Sequence, residues 1–322
     1  MKQRHKHVLA AVAFATFALP AYAQEYPTRP IRMIAPFAPG GGTDITARIL
    51  AEGLGKQLGQ TVVVDNRPGA GSTLGTDLAS KATPDGYTLL LGNISMAFNA
   101  ALYRKLPYNT LRDFSGITLA TDQPNILIAH PSQPAKSLSD FIKLALSQPG
   151  KLTYGSAGVG SGTHLAMEML LMSKKMDLVH VPFKGTGPAI TALLGNQISV
   201  FFSTYASALP HVKAGRLQAY AVTSAKRTTT LPDVGTVAEQ GVPGYEYSTW
   251  YGLLTQSKVS RPIVDKLAKA AVAALKTEEV RKRYVSQGMD VVPSGPAAFD
   301  KMIKDETAKW TKVVQAAKIP PQ

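Results

Sequence analysis

Two short segments constrain this chain more than any other feature. Gly40-Gly41-Gly42-Thr43-Asp44 follows the apolar run Ile31–Pro36 and opens a stretch in which Ile45, Ile49, Leu50, Leu54 and Leu58 recur at helical spacing. Gly160-Ser161-Gly162-Thr163-His164 follows a second apolar run, Leu152–Gly155, and also opens a helix-like stretch. Two glycine-rich strand-to-helix loops, each ending Gly-Thr-polar, predict two lobes built alike. In open α/β sheets ligands sit beyond the carboxyl ends of the strands, so two facing lobes would bring these loops together across a cleft.

The rest of the chain fits that plan. Strand-like runs fall at Thr61–Asp65, Tyr87–Leu91, Asn125–Ala129, Leu178–Pro182, Ile198–Phe202 and Leu217–Val222. Helical patterns separate most of them, at Leu138–Ser147, Thr163–Lys175, Pro188–Leu194 and Ala206–Ala214. The last part is mainly helix (Pro262–Lys276, Glu278–Gln287, Pro296–Ala317), with a short strand at Asp290–Val292. Alternation of this kind predicts an α/β fold with largely parallel sheets and helices on both faces.

The first residues carry an export signal. Lys2, Arg4 and Lys6 precede the apolar run Val8–Leu19, Pro20 breaks it, and Ala21-Tyr22-Ala23 has the small-x-small pattern of a cleavage site. The run falls short of the roughly twenty residues a membrane span requires. Cleavage after Ala23 would leave residues 24–322, in the periplasm, at a length that usually divides into two lobes. The chain has no cysteine, which rules out thiol catalysis, cysteine-ligated metal, disulfides and a lipidated N-terminal cysteine. A net charge of +14 would suit nucleic acid, but the positive residues are scattered along helices without interleaved aromatics, and the export signal argues against that partner.

The two loops have the chemistry of an anion site. A helix start presents N–H groups without intrahelical partners and a partial positive charge. Glycines admit a ligand close to the backbone, and Thr43, Ser156, Ser161 and Thr163 add hydroxyl donors. A bland reading stands beside this one, in which the glycines only make tight turns and the polar residues only cap helices. Other chemistry is less well supported. Gly155-x-x-Gly158-x-Gly160 departs from the dinucleotide fingerprint, and Lys184-Gly185-Thr186-Gly187 lacks the P-loop spacing. Ser156, His164 and Asp44 have the residue types of a hydrolase triad without a G-x-S-x-G elbow. His130, His164, His180 and His211 have no metal-pair spacing, so no metal or other cofactor is expected.

Ordered motifs across nearly the whole mature chain resemble the substrate-binding receptors of tripartite tricarboxylate transporters, the Bug family. They are Tyr26-Pro27-x-Arg29-Pro30-Ile31, Pro36-Phe37-x-Pro39-Gly40-Gly41-x-x-Asp44, Asn66-Arg67-Pro68-Gly69-Ala70-Gly71 and Pro84-Asp85-Gly86-Tyr87-Thr88-Leu89. Leu102-Tyr103-x-Lys105-Leu106-Pro107-Tyr108, Tyr154-Gly155-Ser156-x-Gly158-x-Gly160-Ser161-x-x-His164 and Val181-Pro182-Phe183-Lys184-Gly185 follow. The resemblance implies a type II periplasmic-binding-protein fold, two α/β lobes joined by crossing hinge strands with a ligand cleft between them. It implies a first lobe of residues 24–124 and 247–322 and a second of residues 125–246. It also implies a carboxylate ligand, membrane subunits of the transporter as partners, and a monomer without catalytic activity. Carried over by position, ligand contacts fall on Phe37, Ala38, Gly41 and Asp44, and on Ser156, Gly158, Gly160, Thr163 and His164.

Many members of that family have an acidic residue in the segment matching Phe202-Ser203-Thr204-Tyr205. Here Ser203 and Thr204 stand instead, and Ser203 and Tyr205 are added to the expected ligand contacts. A di- or tricarboxylate or an aromatic carboxylate is therefore expected over an amino acid. Trp250, in the aromatic return segment, is a candidate for the cleft or for hinge packing. Two rival functions remain, a receptor that signals to a sensor kinase and a periplasmic hydrolase using Ser156 or His164.

Overall fold

The computed structural model describes residues 26–316 of the 322-residue chain. The expected export signal and its cleavage site lie outside the described residues. The first lobe begins with β1 (Ile31–Ala35), flanked in parallel by β2 (Val62–Asn66) and β3 (Thr88–Asn93). Helix α1 (Gly42–Leu58) makes the crossover from β1 to β2, and α2 (Thr73–Ser80) leads into β3. The buried face of α1 is set by Ala47, Leu50 and Leu54, which pack with Ile31, Met33 and the apolar face of α8 (Arg261–Lys276). Burying each of the two leucines contributes about 1.5–3 kcal/mol.

The second lobe repeats the parallel plan. Strands β5 (Thr153–Ser156) and β6 (Val179–Pro182) pair in parallel, and β5 pairs in parallel with β7 (Val200–Thr204). Helices α5 (Gly162–Lys174), α6 (Thr186–Leu194) and α7 (Tyr205–Lys213) follow these three strands in turn. Helix α4 (Leu138–Ser147) precedes them, capped by Ser137, whose side chain accepts from the Asp140 N–H, and β8 (Gln218–Val222) closes the lobe.

Two long strands join the halves. The sequence predicts a strand only over Asn125–Ala129, whereas β4 runs through Phe114–Ala129. Its first part pairs antiparallel with β9 (Ser248–Gln256), and its last five residues pair antiparallel with β7. The stretch Thr118 to Pro124 is too polar to read as a buried strand, yet Thr118, Thr121 and Gln123 are buried in it. Thr118 donates to the Ser294 carbonyl and Gln123 bonds to Tyr251 and Ala206, distant partners that a one-dimensional pattern does not reveal. The result is one continuous ten-stranded sheet, in the order β2-β1-β3-β9-β4-β7-β5-β6, with β8 and the short β10 (Asp290–Val291) also on β4.

At the crossing point three chain segments are tied together by hydrogen bonds. Thr223 Oγ1 accepts from the Asn125 N–H at 2.7 Å and donates to the Tyr247 carbonyl at 2.6 Å. Thr249 Oγ1 donates to Asn125 Oδ1 at 2.9 Å. Helices α9 (Glu278–Ser286) and α10 (Pro296–Ala316) then pack on the first lobe, α10 against β4 and against α3 (Ser95–Leu102). Neither α2 nor α3 is predicted from the sequence, because helices of only eight residues carry a weak periodic signal. None of the described helices is long and apolar enough to cross a membrane.

Candidate functional site

The first loop positions its residues by ending β1 and starting α1 with no intervening side-chain cap. Gly42 is required at that start. A Cβ there would come to 2.5 Å from the Tyr251 hydroxyl and 2.9 Å from both Gln123 Nε2 and Thr204 Oγ1. The second loop is held by its own hydroxyls. Ser161 caps α5 by accepting from the His164 N–H at 3.3 Å, and Thr163 Oγ1 accepts from the Ala157 N–H at 2.8 Å.

Between the lobes lies a narrow cavity, with about 270 Å³ of space between atoms including its mouth. Its wall holds Phe37 and Thr43 from the first loop, Asn93, Ile94 and Ser95 from the end of β3, and Ala157, Ser161, Gly162 and Thr163 from the second loop. Thr186, Thr204, Thr249 and Tyr251 complete it. Among the described residues, none in the wall is charged. Five helices (α1, α3, α5, α6 and α7) begin at this wall, so five helix N-termini converge on one small space. Each carries roughly half a positive charge, and the hydroxyls among them can donate as well.

The donors are pre-oriented. Asn93 accepts from the Ser95 N–H at 3.0 Å and donates to Thr43 Oγ1 at 3.3 Å, which fixes the entry to α3. Gln123 donates to the Tyr251 hydroxyl at 3.3 Å and accepts from the Ala206 N–H at 3.0 Å, linking β9 to the first turn of α7. Burial raises the Tyr251 phenol above its ordinary range and keeps it protonated.

The lobes are closed on each other. The Ala38 N–H donates to the Lys184 carbonyl at 3.1 Å, and the Gly162 N–H donates to Ser95 Oγ at 3.2 Å. On the other side Tyr103 donates to the Val159 carbonyl at 3.3 Å, and Gly71 lies against Val159.

Of the residues expected to contact ligand, Phe37 and Thr163 line the cavity. Ala38 and Gly41 face the α6 start instead, Ala38 through Lys184 and Gly41 against Thr186. Asp44 turns back on its own loop, accepting from the Gly40 N–H at 3.1 Å and pairing with Arg48 at 2.9 Å. Gly158 lies near Gly71, and Gly160 near Asn99. Ser203 donates to the Thr204 carbonyl, so within β7 it is Thr204 that lines the cavity. Tyr205 is fully buried, with its hydroxyl on Thr228 at 2.6 Å and Thr230 at 2.7 Å. Trp250 faces away, while Thr249 and Tyr251 face the cavity, as strand alternation requires.

Ser156 and His164 belong to a cluster beneath the second loop. Ser156 Oγ lies 2.6 Å from His180 Nε2 and also accepts from the Gly158 N–H at 3.0 Å. The His180 ring stacks on His164 at 4.4 Å and on Tyr154 at 4.7 Å. Tyr154 donates to Glu168 at 2.5 Å. Burial lowers both histidines to about 4, with the neighbouring His164 adding to the effect on His180. Ser156, His164 and Asp44, which have the residue types of a hydrolase triad, are not brought together as one, because His180 rather than His164 meets Ser156 and Asp44 is paired with Arg48.

Sequence reasoning missed Asn93, Ile94 and Ser95. An Asn-x-Ser sequence directly after a strand is a helix-start signal and could have found them. Thr186 sits in a Lys-Gly-Thr-Gly segment that the sequence did single out, for different chemistry.

Residues 46–319 match the family described as the tripartite tricarboxylate transporter family receptor. The structure of the periplasmic binding protein BugD superposes with a TM-score of 0.90 at 35% identity, covering 92% of this chain and 100% of that one. A Rhodopseudomonas palustris protein solved with adipate gives 0.89 at 30% identity, covering 92% and 100%. MatC from the same organism, solved with bound malate, gives 0.86 at 34% identity, covering 90% and 100%. With this two-lobed fold, and with a family match over most of its length, the chain belongs to the tripartite tricarboxylate transporter receptor family of periplasmic solute-binding proteins.

Proposed function

We propose that this receptor captures a small organic carboxylate between its lobes and delivers it to membrane subunits of a tripartite tricarboxylate-type transporter, without transforming it. The observation that carries this reading is the convergence of five helix N-termini on an uncharged, hydroxyl-lined cavity. A buried carboxylate is costly unless its oxygens are fully hydrogen-bonded, and helix starts provide that bonding without a salt bridge. The adipate and malate held by two relatives support the same ligand class.

The ligand is an acid without an ammonium group. A buried ammonium calls for an acceptor, usually a carboxylate, and the cavity wall has none. The small volume favours a short di- or tricarboxylate over a bulky aromatic acid. The proposal includes export with cleavage after Ala23 and hinge crossings near residues 124–125 and 246–247. Ligand contacts are assigned to Phe37, Thr43, Ser95, Ser161, Thr163, Thr186, Thr204 and Tyr251.

A thermal-shift screen of organic acids, amino acids and sugars tests the reading, followed by calorimetry and mass spectrometry of the recovered ligand. A ligand that binds only the folded state adds about 2.7 kcal/mol at a hundredfold excess over Kd. The expected result is a dose-dependent shift with amine-free di- or tricarboxylates, one site per chain and unchanged ligand. A hit confined to sugars or cations, preference for aspartate or glutamate, or turnover of the bound acid would refute it.

A further inference from the structure

A second cavity lies behind the first, where the crossing strands meet α10. It measures about 970 Å³ including its mouth, and Ile94 belongs to the walls of both cavities. Asp122 of β4 and Trp250 of β9 are direct register partners on its floor. Trp310, Glu306, Lys309 and Tyr247 form much of the rest.

The chemistry of this wall is opposite to that of the front cavity. Both tryptophans of the chain are here, in a protein whose formal charge is +14. Three carboxylates, Asp122, Glu246 and Glu306, face one cation, Lys309. That lysine is already engaged, 3.3 Å from Glu306 and 4.8 Å above the Trp310 ring. Its position marks the ring face as one that accepts a cation.

Three polar atoms of residues in the wall are left without partners among the described residues, and of these the Tyr247 hydroxyl lies towards Gly162, leaving Trp250 and Asp122. Trp250 is only 3% exposed, and its indole N–H has no acceptor. Asp122 Oδ1 is buried without a donor. Leaving such groups unpaired is destabilising, since each has lost its bonds to water. A ligand that relieves both must bring a positive charge for the carboxylate and an oxygen for the indole.

We propose that this hinge cavity is a binding site for a small organic ammonium ion that also carries a hydroxyl group. The cation would sit between the Asp122 and Glu306 carboxylates and the aromatic walls, and the hydroxyl oxygen would accept from Trp250 Nε1. The site is distinct from the carboxylate cleft, because Ile94 is the one residue that the two walls share among the described residues.

Choline is the probe, and tryptophan fluorescence reads the cavity directly because no tryptophan lies elsewhere in the chain. Choline should give a saturable change, while sodium chloride at equal ionic strength and the uncharged carbon isostere neopentyl carbinol should not. Asp122→Asn and Glu306→Gln should each weaken choline at least tenfold and leave organic-acid binding in the front cavity intact. Circular dichroism checks that each variant is folded, and either folded variant suffices to read the wall. No saturable change with choline, an equal response to the isostere, or wild-type choline affinity in the folded variants would overturn the proposal.

Discussion

The hydroxyl of Ser95, at the start of α3, accepts a hydrogen bond at 3.2 Å from the backbone N–H of Gly162, at the start of α5. The two residues belong to different lobes, and both line the carboxylate cavity. The bond therefore exists only when the lobes are closed. It joins a helix N-terminus to a hydroxyl at the place where a bound acid would lie.

Ser95→Ala should weaken ligand binding by about 0.5–1.5 kcal/mol, the net worth of one hydrogen bond, which is roughly a two- to tenfold rise in Kd. Thermal stability of the unliganded protein should change less. Calorimetry of the variant with its best acid checks this, and an unchanged affinity would show that closure does not use the contact.

A glycine at the seam gives a stronger test of closure. Gly187, in the first turn of α6, has an ordinary helical backbone, but a Cβ there would lie 2.5 Å from the Pro39 carbonyl of the other lobe. Gly187→Ala should wedge the lobes apart without straining its own lobe, so affinity should fall at least tenfold while the melting temperature of the apo form stays within a few degrees. Ligand contacts made to both lobes are what favour the closed form. Small-angle scattering with and without ligand should show that the variant no longer compacts.

Thr163 has two roles, because its hydroxyl both faces the cavity and holds the Ala157 N–H at 2.8 Å. Thr163→Val should cost about 1–3 kcal/mol by leaving that buried donor unpaired, seen as weaker binding and a lower melting temperature together. Thr163→Ser keeps the oxygen and should restore most of both. If serine fails to rescue, the methyl packing rather than the hydroxyl sets the loop.

Stability should fall as the pH drops from about 6.5 towards 4. Burial holds His164 and His180 at about 4 in the folded chain, below the ordinary 6.5, so acid protonates the unfolded chain first and drains stability through that window. The effect is about 3 kcal/mol for His164 and less for His180, whose ring is partly open to water. Asp122 works in the other direction. Burial raises it to about 6, so its ionisation penalty of up to about 3 kcal/mol disappears as the pH falls below 6. The two histidines outweigh one aspartate, and the slope should be a net loss. Denaturant titrations between pH 7 and 4 should give a flatter profile for His164→Gln and a steeper one for Asp122→Asn.

Much of this molecule was legible from residues alone. The alternation of buried apolar runs with helical spacing marks β1, β2, β5, β6 and β7 close to their observed bounds, because in each lobe these strands follow the chain one after another. The paired glycine-rich loops mark two helix starts at the cleft, since the need for close backbone approach is recorded in the residue type itself. Phe37 and Thr163 reach the cavity by that same local logic.

What the tertiary structure alone decided depends on residues far apart in the chain. Strand β4 is hidden in the sequence because its polar middle is buried among residues distant in the chain, such as Tyr251 and Ala206, which bond to Gln123. The wall contributions of Ser95, Thr204, Thr249 and Tyr251 follow from which face of a strand or helix start meets the opposite lobe, and a one-residue change of face removes a side chain from the cavity. Trp250 and Tyr251 are neighbours in the chain and line different cavities for that reason. Asp44 and Ser156 have the right residue types for a site, but Arg48 and His180 claim them first. Local propensity writes the elements into the sequence, while the competition among distant partners for each polar atom is settled only when the chain has folded.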